Sequence, residues 1–326
     1  MALLPITAIV LTYNEEVHIE RLVASLAPVE RIVAVDSGST DATVSRLLLA
    51  GAEVLTNPFT TQAEQFAWAM EHAGIRTAWT LRIDADEIIG PDLWSAISDT
   101  LADLSPKVTG VTFDRRHIFM GRWVRRGGRF PLRMLRLWRT GDAAIEQRLM
   151  DEHIVLLRGR SIHLDGEFAD HNLRGINDFI AKHNGYATRE ALDALSRKYG
   201  LGQETPDLYL RSGSAQAARK RALKEGVYNR LPFGVGPWAY YIWRLIFQLG
   251  ILDGKEGRIY HYLQGYWYRY LVDLRKLELE KVLSGTATKK QRIAALSSAS
   301  GYDLDRLLGH STPSLRGPSG IAGLPE

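Results

Sequence analysis

The chain has 326 residues, 45% of them hydrophobic and 24% charged, which is enough apolar material for a sizeable core and about two domains. It contains no cysteine, so disulfides, thiolate nucleophiles and zinc–thiolate centres are excluded. The net charge is +4 and the isoelectric point near 9.2, a mild basic excess that suits phosphates, nucleic acid or anionic lipid as partners.

The N-terminus lacks the basic start and the cleavage site of a signal peptide. Ile6 to Leu11, broken only by Thr7, reads instead as a first strand. Glu15 to Leu26 follows with apolar residues at helical spacing. Arg31 to Val35 is a second strand, Thr40 to Leu49 a second helix, and Ala52 to Leu55 a third strand. Gln62 to His72 is a third helix and Trp79 to Ile83 a fourth strand, and a helix then opens on Pro91. Strand–helix alternation of this kind predicts a mostly parallel α/β sheet, in which ligands bind beyond the carboxyl ends of the strands. The polar clusters Thr12 to Glu15, Asp36 to Asp41 and Asp84 to Asp86 all fall at such ends.

Beyond Val108 the pattern changes. Val108 to Phe113 and Leu132 to Trp138 read as strands, Ile154 to Leu157 as a strand-like run, Gly175 to Lys198 as a long helix, and Pro206 to Leu283 as helical and aromatic-rich. Ser311 to Glu326 is rich in Gly, Pro and Ser and is expected to be disordered. No stretch offers the roughly 20 uninterrupted apolar residues of a spanning helix.

Asp84 and Asp86 are spaced to face one side of a strand end, where two carboxylates can hold a hard cation such as Mg²⁺ or Mn²⁺. The plain alternative is a solvated acidic turn. Gly38 permits a positive φ and Ser39 or Thr40 can cap the following helix. Asp36 either accepts from a nucleoside or caps its own turn.

Three runs carry a family resemblance: Ile9-Val10-Leu11-Thr12-Tyr13-Asn14-Glu15-Glu16, Val35-Asp36-Ser37-Gly38-Ser39-Thr40-Asp41 and Arg82-Ile83-Asp84-Ala85-Asp86-Glu87. In this order they resemble the family 2 glycosyltransferases. Glu167 to Asn172, Lys182 to Ala191, and Leu252 to Gly257 followed by Tyr266 to Tyr270 resemble the branch that builds lipopolysaccharide core and exopolysaccharide. The resemblance implies a Rossmann-like, GT-A-type nucleotide-diphospho-sugar transferase fold, a divalent metal, and inversion at the sugar. It implies that Thr12, Glu15 and Asp36 contact the nucleoside, Asp84 the ribose or metal region, and Asp86 the metal. Uridine diphosphate is the donor nucleotide implied first. Gln62 and Gln65 stand where family members carry a basic residue and an asparagine, so no contact is carried over there.

An inverting transfer needs a carboxylate to take the acceptor proton. Among Asp114, Asp142, Glu146, Asp151, Glu152, Asp165, Glu167 and Asp170, the pair before Ile154 is favoured: Glu152 first, Asp151 second. Nine arginines and no acidic residue lie from Arg115 to Arg139, interleaved with aromatics. They suit a donor diphosphate or a phosphorylated, lipid-linked acceptor, and the plain alternative is a solvated basic loop. Nucleic acid is not expected, because no nucleic-acid motif accompanies them. His153, His163 and His171 lie close in sequence, and one of them is a candidate third ligand for a metal on Asp86.

Eleven of the thirty aromatic residues fall between Trp238 and Tyr270, downstream of Arg219-Lys220-Arg221 and Lys224. Trp, Tyr and basic residues together suit an anionic membrane surface. A helical subdomain or an oligomer contact is the alternative. The expected organisation is a catalytic domain over 1–205, with a nucleotide half to 106 and an acceptor half after it. A helical membrane-associating or oligomerising region over 206–283 and a partly disordered tail over 284–326 complete it. The whole reads as a glycosyltransferase on the cytoplasmic face of a bacterial-type inner membrane, with a nucleotide-sugar donor and a glycolipid or polysaccharide-precursor acceptor. A sugar-phosphate nucleotidyltransferase and a non-catalytic phosphate- or lipid-binding module are the rival readings. The first would carry a glycine-rich basic loop where Thr12 to Glu15 stands.

Overall fold

The computed structural model describes residues 3–146, 152–202 and 232–308. Its first half alternates as the apolar spacing predicts: β1 (Leu4–Thr12), α1 (Glu16–Ser25), β2 (Val29–Asp36), α2 (Thr43–Leu49), β3 (Glu53–Thr56), α3 (Gln62–His72), β4 (Trp79–Asp84), β5 (Glu87–Ile89) and α4 (Pro91–Leu101). β6 (Val108–Phe119), β7 (Arg122–Val124), β8 (Arg133–Arg139), β9 (Ala143–Ile145), β10 (Ile154–Leu156), β11 (Arg160–His163) and β12 (Phe168–His171) follow, and then the long helix α5 (Ile176–Lys198).

One twisted sheet runs in the order β3-β2-β1-β4-β8-β6-β12-β5, with β11 and β7 also on β6. β3, β2, β1 and β4 are mutually parallel, and β8 is antiparallel to both β4 and β6. β1 is buried along most of its length because helices cover both faces, as its near-continuous apolar run requires. On one face Leu22 of α1, Leu26 just after it, and Leu93, Trp94 and Ile97 of α4 pack on Leu81, Val111 and Leu137. On the other, Phe66 of α3 and Trp138 of β8 meet Ile145 and Ile154 of the β9–β10 hairpin.

One local expectation is revised. Helix α2 begins at Thr43, not at Thr40, and Ser39 and Thr40 do not cap it. Ser39 is drawn back onto Asp36, while Asp41 accepts from Thr43 N and Thr43 Oγ1. Residues 289–307, inside the segment read as a tail, form helices Lys289–Ser300 and Leu304–Leu307. Thr288 and Gln291 make a reciprocal capping box, and Ile293, Leu296 and Leu304 bury against Leu192 and Leu195 of α5. Ser311 to Glu326 lies outside the described residues.

The region before it is helical, with Val235–Ile242, a π-turn at Trp243–Phe247, Gly254–Tyr262, a second π-turn at Leu263–Trp267, and Tyr268–Lys281. No described helix is long and apolar enough to cross a membrane.

Candidate active site

The parallel register fixes the site. Thr12 of β1 lies opposite Asp36 of β2, and Leu11 opposite Asp84 of β4, so three polar strand ends share one edge of the sheet. Gly38, with φ +92°, lets the chain turn back there. Asp36 is almost fully buried. Its Oδ1 accepts from Thr12 Oγ1 at 3.1 Å and Ser39 Oγ at 2.5 Å, and its Oδ2 from Gly38 N at 2.9 Å and Ser39 N at 2.7 Å. A carboxylate has about four acceptor positions, so these bonds occupy Asp36 as the organiser of its turn. Gln65, buried in α3, braces the same turn by donating to Ser37 Oγ at 3.1 Å. Asn14, at φ 53°, accepts from Thr40 N. Glu15 is held by His18 Nδ1 at 2.6 Å and Arg174 at 3.2 Å. His18 Nε2 accepts from Leu173 N at 2.9 Å, which ties α1 to the segment after β12 and places the His18 proton on Nδ1.

Asp84 and Asp86 have different surroundings. Asp84 Oδ2 lies 3.3 Å from Arg136 and its Oδ1 3.8 Å from Arg82. Burial pushes the Asp84 carboxyl up, but Arg136, Arg82 and Arg115 outweigh it and hold the group below its ordinary value. Asp86 accepts from Asn172 Nδ2 at 3.0 Å. Burial first, and then the carboxylates of Asp170 and Asp84, push Asp86 up, against a smaller pull from Lys182. Its backbone oxygen accepts from His171 N, which docks β12 beside it. Behind both, Glu87 is buried with Arg136 at 2.5 Å and Arg115 at 3.5 Å. Burial raises it to about 7 despite those arginines.

Several residues of this centre were not singled out from the sequence as site residues. Arg115 lies 3.4 Å from Asp170, whose carboxyl is held well below its usual range. Burial opposes that shift, and His117 at 3.1 Å and Arg115 overcome it. Lys182 of α5 is raised because Tyr186, Asp86, Glu15 and Asp170 together outweigh burial, so one ammonium feels acids from three separate segments. Arg21 of α1 donates to His171 O at 2.5 Å and lies 2.9 Å from His171 Nδ1. The Lys182 to Ala191 run and the acid at Asp170 were the visible signals, but nothing in their spacing says that α5 and β12 close over the β4 edge.

Glu152 lies close enough to Arg82 to favour its charged form, as does Asp84, so it belongs to the same end of the sheet. Asp151 lies outside the described residues. The three histidines separate. His171 flanks Asp86, His153 lies 3.6 Å from Glu146, and His163 sits on β11. All nine arginines of the basic stretch have partners. Among them, Arg116 and Arg125 stack on Trp123, Arg129 on Tyr260 and Arg139 on Trp79, while Arg122 and Arg126 pair with Glu256 and Asp253.

Residues 7–157 match the family model described as glycosyl transferase family 2. This chain carries a family 2 glycosyltransferase domain. It is similar to the lipopolysaccharide core biosynthesis glycosyltransferase LpsC of Rhizobium meliloti, with 29% identity over 267 residues, covering 80% of this chain and 90% of the relative. It is also 25% identical over 210 residues to the uncharacterized glycosyltransferase RT0209 of Rickettsia typhi, covering 59% of this chain and 68% of that one. A solved glucosyl-3-phosphoglycerate synthase from Mycobacterium tuberculosis, in complex with Mn²⁺, uridine diphosphate and glucosyl-3-phosphoglycerate, matches at 25% identity. That match covers 34% of this chain and 44% of the synthase, with a TM-score of 0.30. The chain is thus an enzyme of glycosyltransferase type, with a mixed α/β sheet and a helical C-terminal part.

Proposed function

We propose that this glycosyltransferase is a metal-dependent, inverting enzyme that moves a sugar from a nucleoside-diphosphate donor, uridine first, to a hydroxyl of a lipid-linked or lipopolysaccharide-type acceptor. The observation that carries this reading is the gathering of Asp84, Asp86 and Asp170 at one strand edge, where burial first and then the Asp170 and Asp84 carboxylates push Asp86 toward its neutral form. An added cation relieves that unfavourable charge, so the centre fits Mg²⁺ or Mn²⁺ on Asp86, with the Asp84 carboxylate near enough to act on it. When bound, the cation would neutralise charge developing on the departing diphosphate.

The chain's own groups divide the remaining work. Asp36 and Thr12 hold the Ser37–Ser39 turn, against which a nucleoside can lie, and Glu15 guards its rim. Lys182 and Arg21 supply positive charge on the open side of Asp86. Glu152, whose charge acts on Arg82 at the same sheet, takes the acceptor proton.

The acceptor reading draws on a second surface. Trp238, Trp243, Ile246, Phe247, Leu249 and Leu252 are each about half exposed or more, on consecutive turns between residues 235 and 253. Exposed Trp and Phe suit the headgroup layer of an anionic membrane, here the inner, cytoplasmic-facing one. Arg219, Lys220, Arg221 and Lys224 lie outside the described residues.

A thermal-shift and donor-hydrolysis screen of nucleoside diphosphates and their sugars, with and without Mn²⁺ or Mg²⁺, tests the proposal. Stabilisation and slow hydrolysis that both require metal support it. Binding and turnover that ignore chelation would overturn the metal role.

A further inference from the structure

A second group of potential metal ligands lies on β6, one residue before Arg115, and at the end of β11, and shares no side chain with the Asp86 centre. Asp114 of β6, His163 of β11 and Asp165 just beyond β11 present one ligand atom each, all within 4.8 Å of one another, the one such group of three among the described residues. His163 Nε2 is 3.3 Å from Asp114 Oδ2 and 3.2 Å from Asp165 Oδ1.

The ring is oriented by a partner outside this trio. His163 Nδ1 lies 3.0 Å from the Thr112 carbonyl oxygen, which can only accept, so Nδ1 carries a proton. In the neutral ring Nε2 is then a lone pair aimed between two carboxylate oxygens, an arrangement that repels unless a cation or a second proton lies among them. Asp114 is oriented too, since Arg133 Nε donates to its Oδ1 at 3.4 Å and leaves Oδ2 toward the histidine. A carbonyl behind a ligating histidine and a donor behind a ligating carboxylate are the supports that metal sites use to fix their ligands. The two histidine–carboxylate spacings fit as well. Two ligand atoms held at about 2.1 Å from one cation stand about 3.0–3.4 Å apart at right or tetrahedral angles.

We infer that Asp114, His163 and Asp165 form a second cation site that takes a transition-metal dication, Zn²⁺ or Mn²⁺, through one imidazole nitrogen and two carboxylate oxygens. An imidazole in the donor set favours these ions over Mg²⁺ or Ca²⁺. The site sits where the chain leaves β11 for β12. Bound metal would clamp the connection that delivers Asp170 and His171 to the donor centre, so the role assigned to it is positioning. The inference does not depend on the donor-site reading.

The test uses the full chain carrying Asp86→Asn, so that donor-site metal does not count. Protein stripped with a chelator is given Zn²⁺, or Co²⁺ as a coloured substitute, and retained metal is measured after desalting. One retained equivalent with visible Co²⁺ absorption is expected, weakened about tenfold or more by adding Asp165→Asn or His163→Ala. Asp165 is 98% exposed, so Asp165→Asn leaves folding intact even where His163→Ala does not. No retained metal in the Asp86→Asn protein, as an imidazolium alone among the carboxylates would give, overturns the inference. Retention unchanged by Asp165→Asn and His163→Ala overturns it equally.

Discussion

The edge of the sheet around Asp86 and the helical region after Val235 break opposite rules. At the edge, apolar packing is orderly and charge is not. Three carboxylates crowd together, Asp86 is pushed up, and Glu87 sits near neutrality although it is buried against two arginines. In the helical region the buried charges are matched and the apolar surface is not. Arg244 donates to His261 Nδ1 at 3.1 Å, and His261 Nε2 donates to Asp253 Oδ2 at 3.1 Å. Burial, with Arg244 beside it, lowers His261 to about 4, so the ring stays neutral. Trp243 and Phe247 meanwhile face solvent. Poorly compensated buried charge marks a place for an ionic ligand, and exposed aromatic surface marks a place for an apolar one. The two regions are joined at the basic loop, where Arg126 N donates to Asp253 Oδ2 at 2.9 Å and Gly127 O accepts from Arg244 Nε at 2.9 Å.

The largest effect expected tests whether chemistry belongs to the edge alone. Glu152→Gln should lower kcat about 10²–10⁴-fold, the usual cost of losing a general base, while nucleotide-induced thermal stabilisation persists. Asp151→Asn, assayed in parallel, is the control. Near-wild-type turnover in Glu152→Gln, with a collapse in Asp151→Asn, would move the base to Asp151.

The second effect concerns whether the C-terminal helices belong to the catalytic body. Leu296 is fully buried against α5, the helix that carries Lys182. Leu296→Ala should cost about 2–5 kcal/mol in denaturant unfolding. A loss near zero would mean that the layer is dispensable.

The sequence made one of these regions far more legible than the other. β1 to α4 could be placed because each element declares itself by local period, and a parallel register then brings Thr12, Asp36 and Asp84 together without further information. The partners around Asp86 are non-local. Asp170 and His171 arrive on a four-residue strand, and Lys182 on a helix whose contacts depend on β12 docking beside Asp86. Short strands such as β11 and β12 have too few residues to show a period. The arginines, read as suited to a diphosphate or as a solvated loop, also fasten β6, β7 and β8 to their neighbours, and composition does not show a guanidinium's partners.

A smaller effect separates a membrane surface from a protein contact. Burying one Phe side chain is worth about 1.5–3 kcal/mol. Phe247→Ser should therefore weaken flotation with anionic vesicles by about tenfold to a hundredfold and leave kcat on a short, soluble acceptor unchanged. Equal flotation of mutant and wild type would show that this face meets something other than lipid.

The smallest effect is a pH dependence, and its sign is fixed by the edge itself. Glu87 is raised in the folded protein from an ordinary 4.5 to about 7. The folded state therefore holds an extra proton between those values. The stability this contributes is fully present below about pH 4.5 and is lost as pH rises through about 7. Asp84 and Asp170 are lowered and act the other way, but only in acid, where falling pH protonates them. Unfolding by urea at several points between about pH 5 and 8 should thus show metal-free wild type losing stability across that window, and Glu87→Gln losing less. Added Mn²⁺ should offset part of the loss through Asp86. If wild type and Glu87→Gln follow parallel curves, the proton is not on Glu87, and the raised carboxyl group of the edge is Asp86 alone.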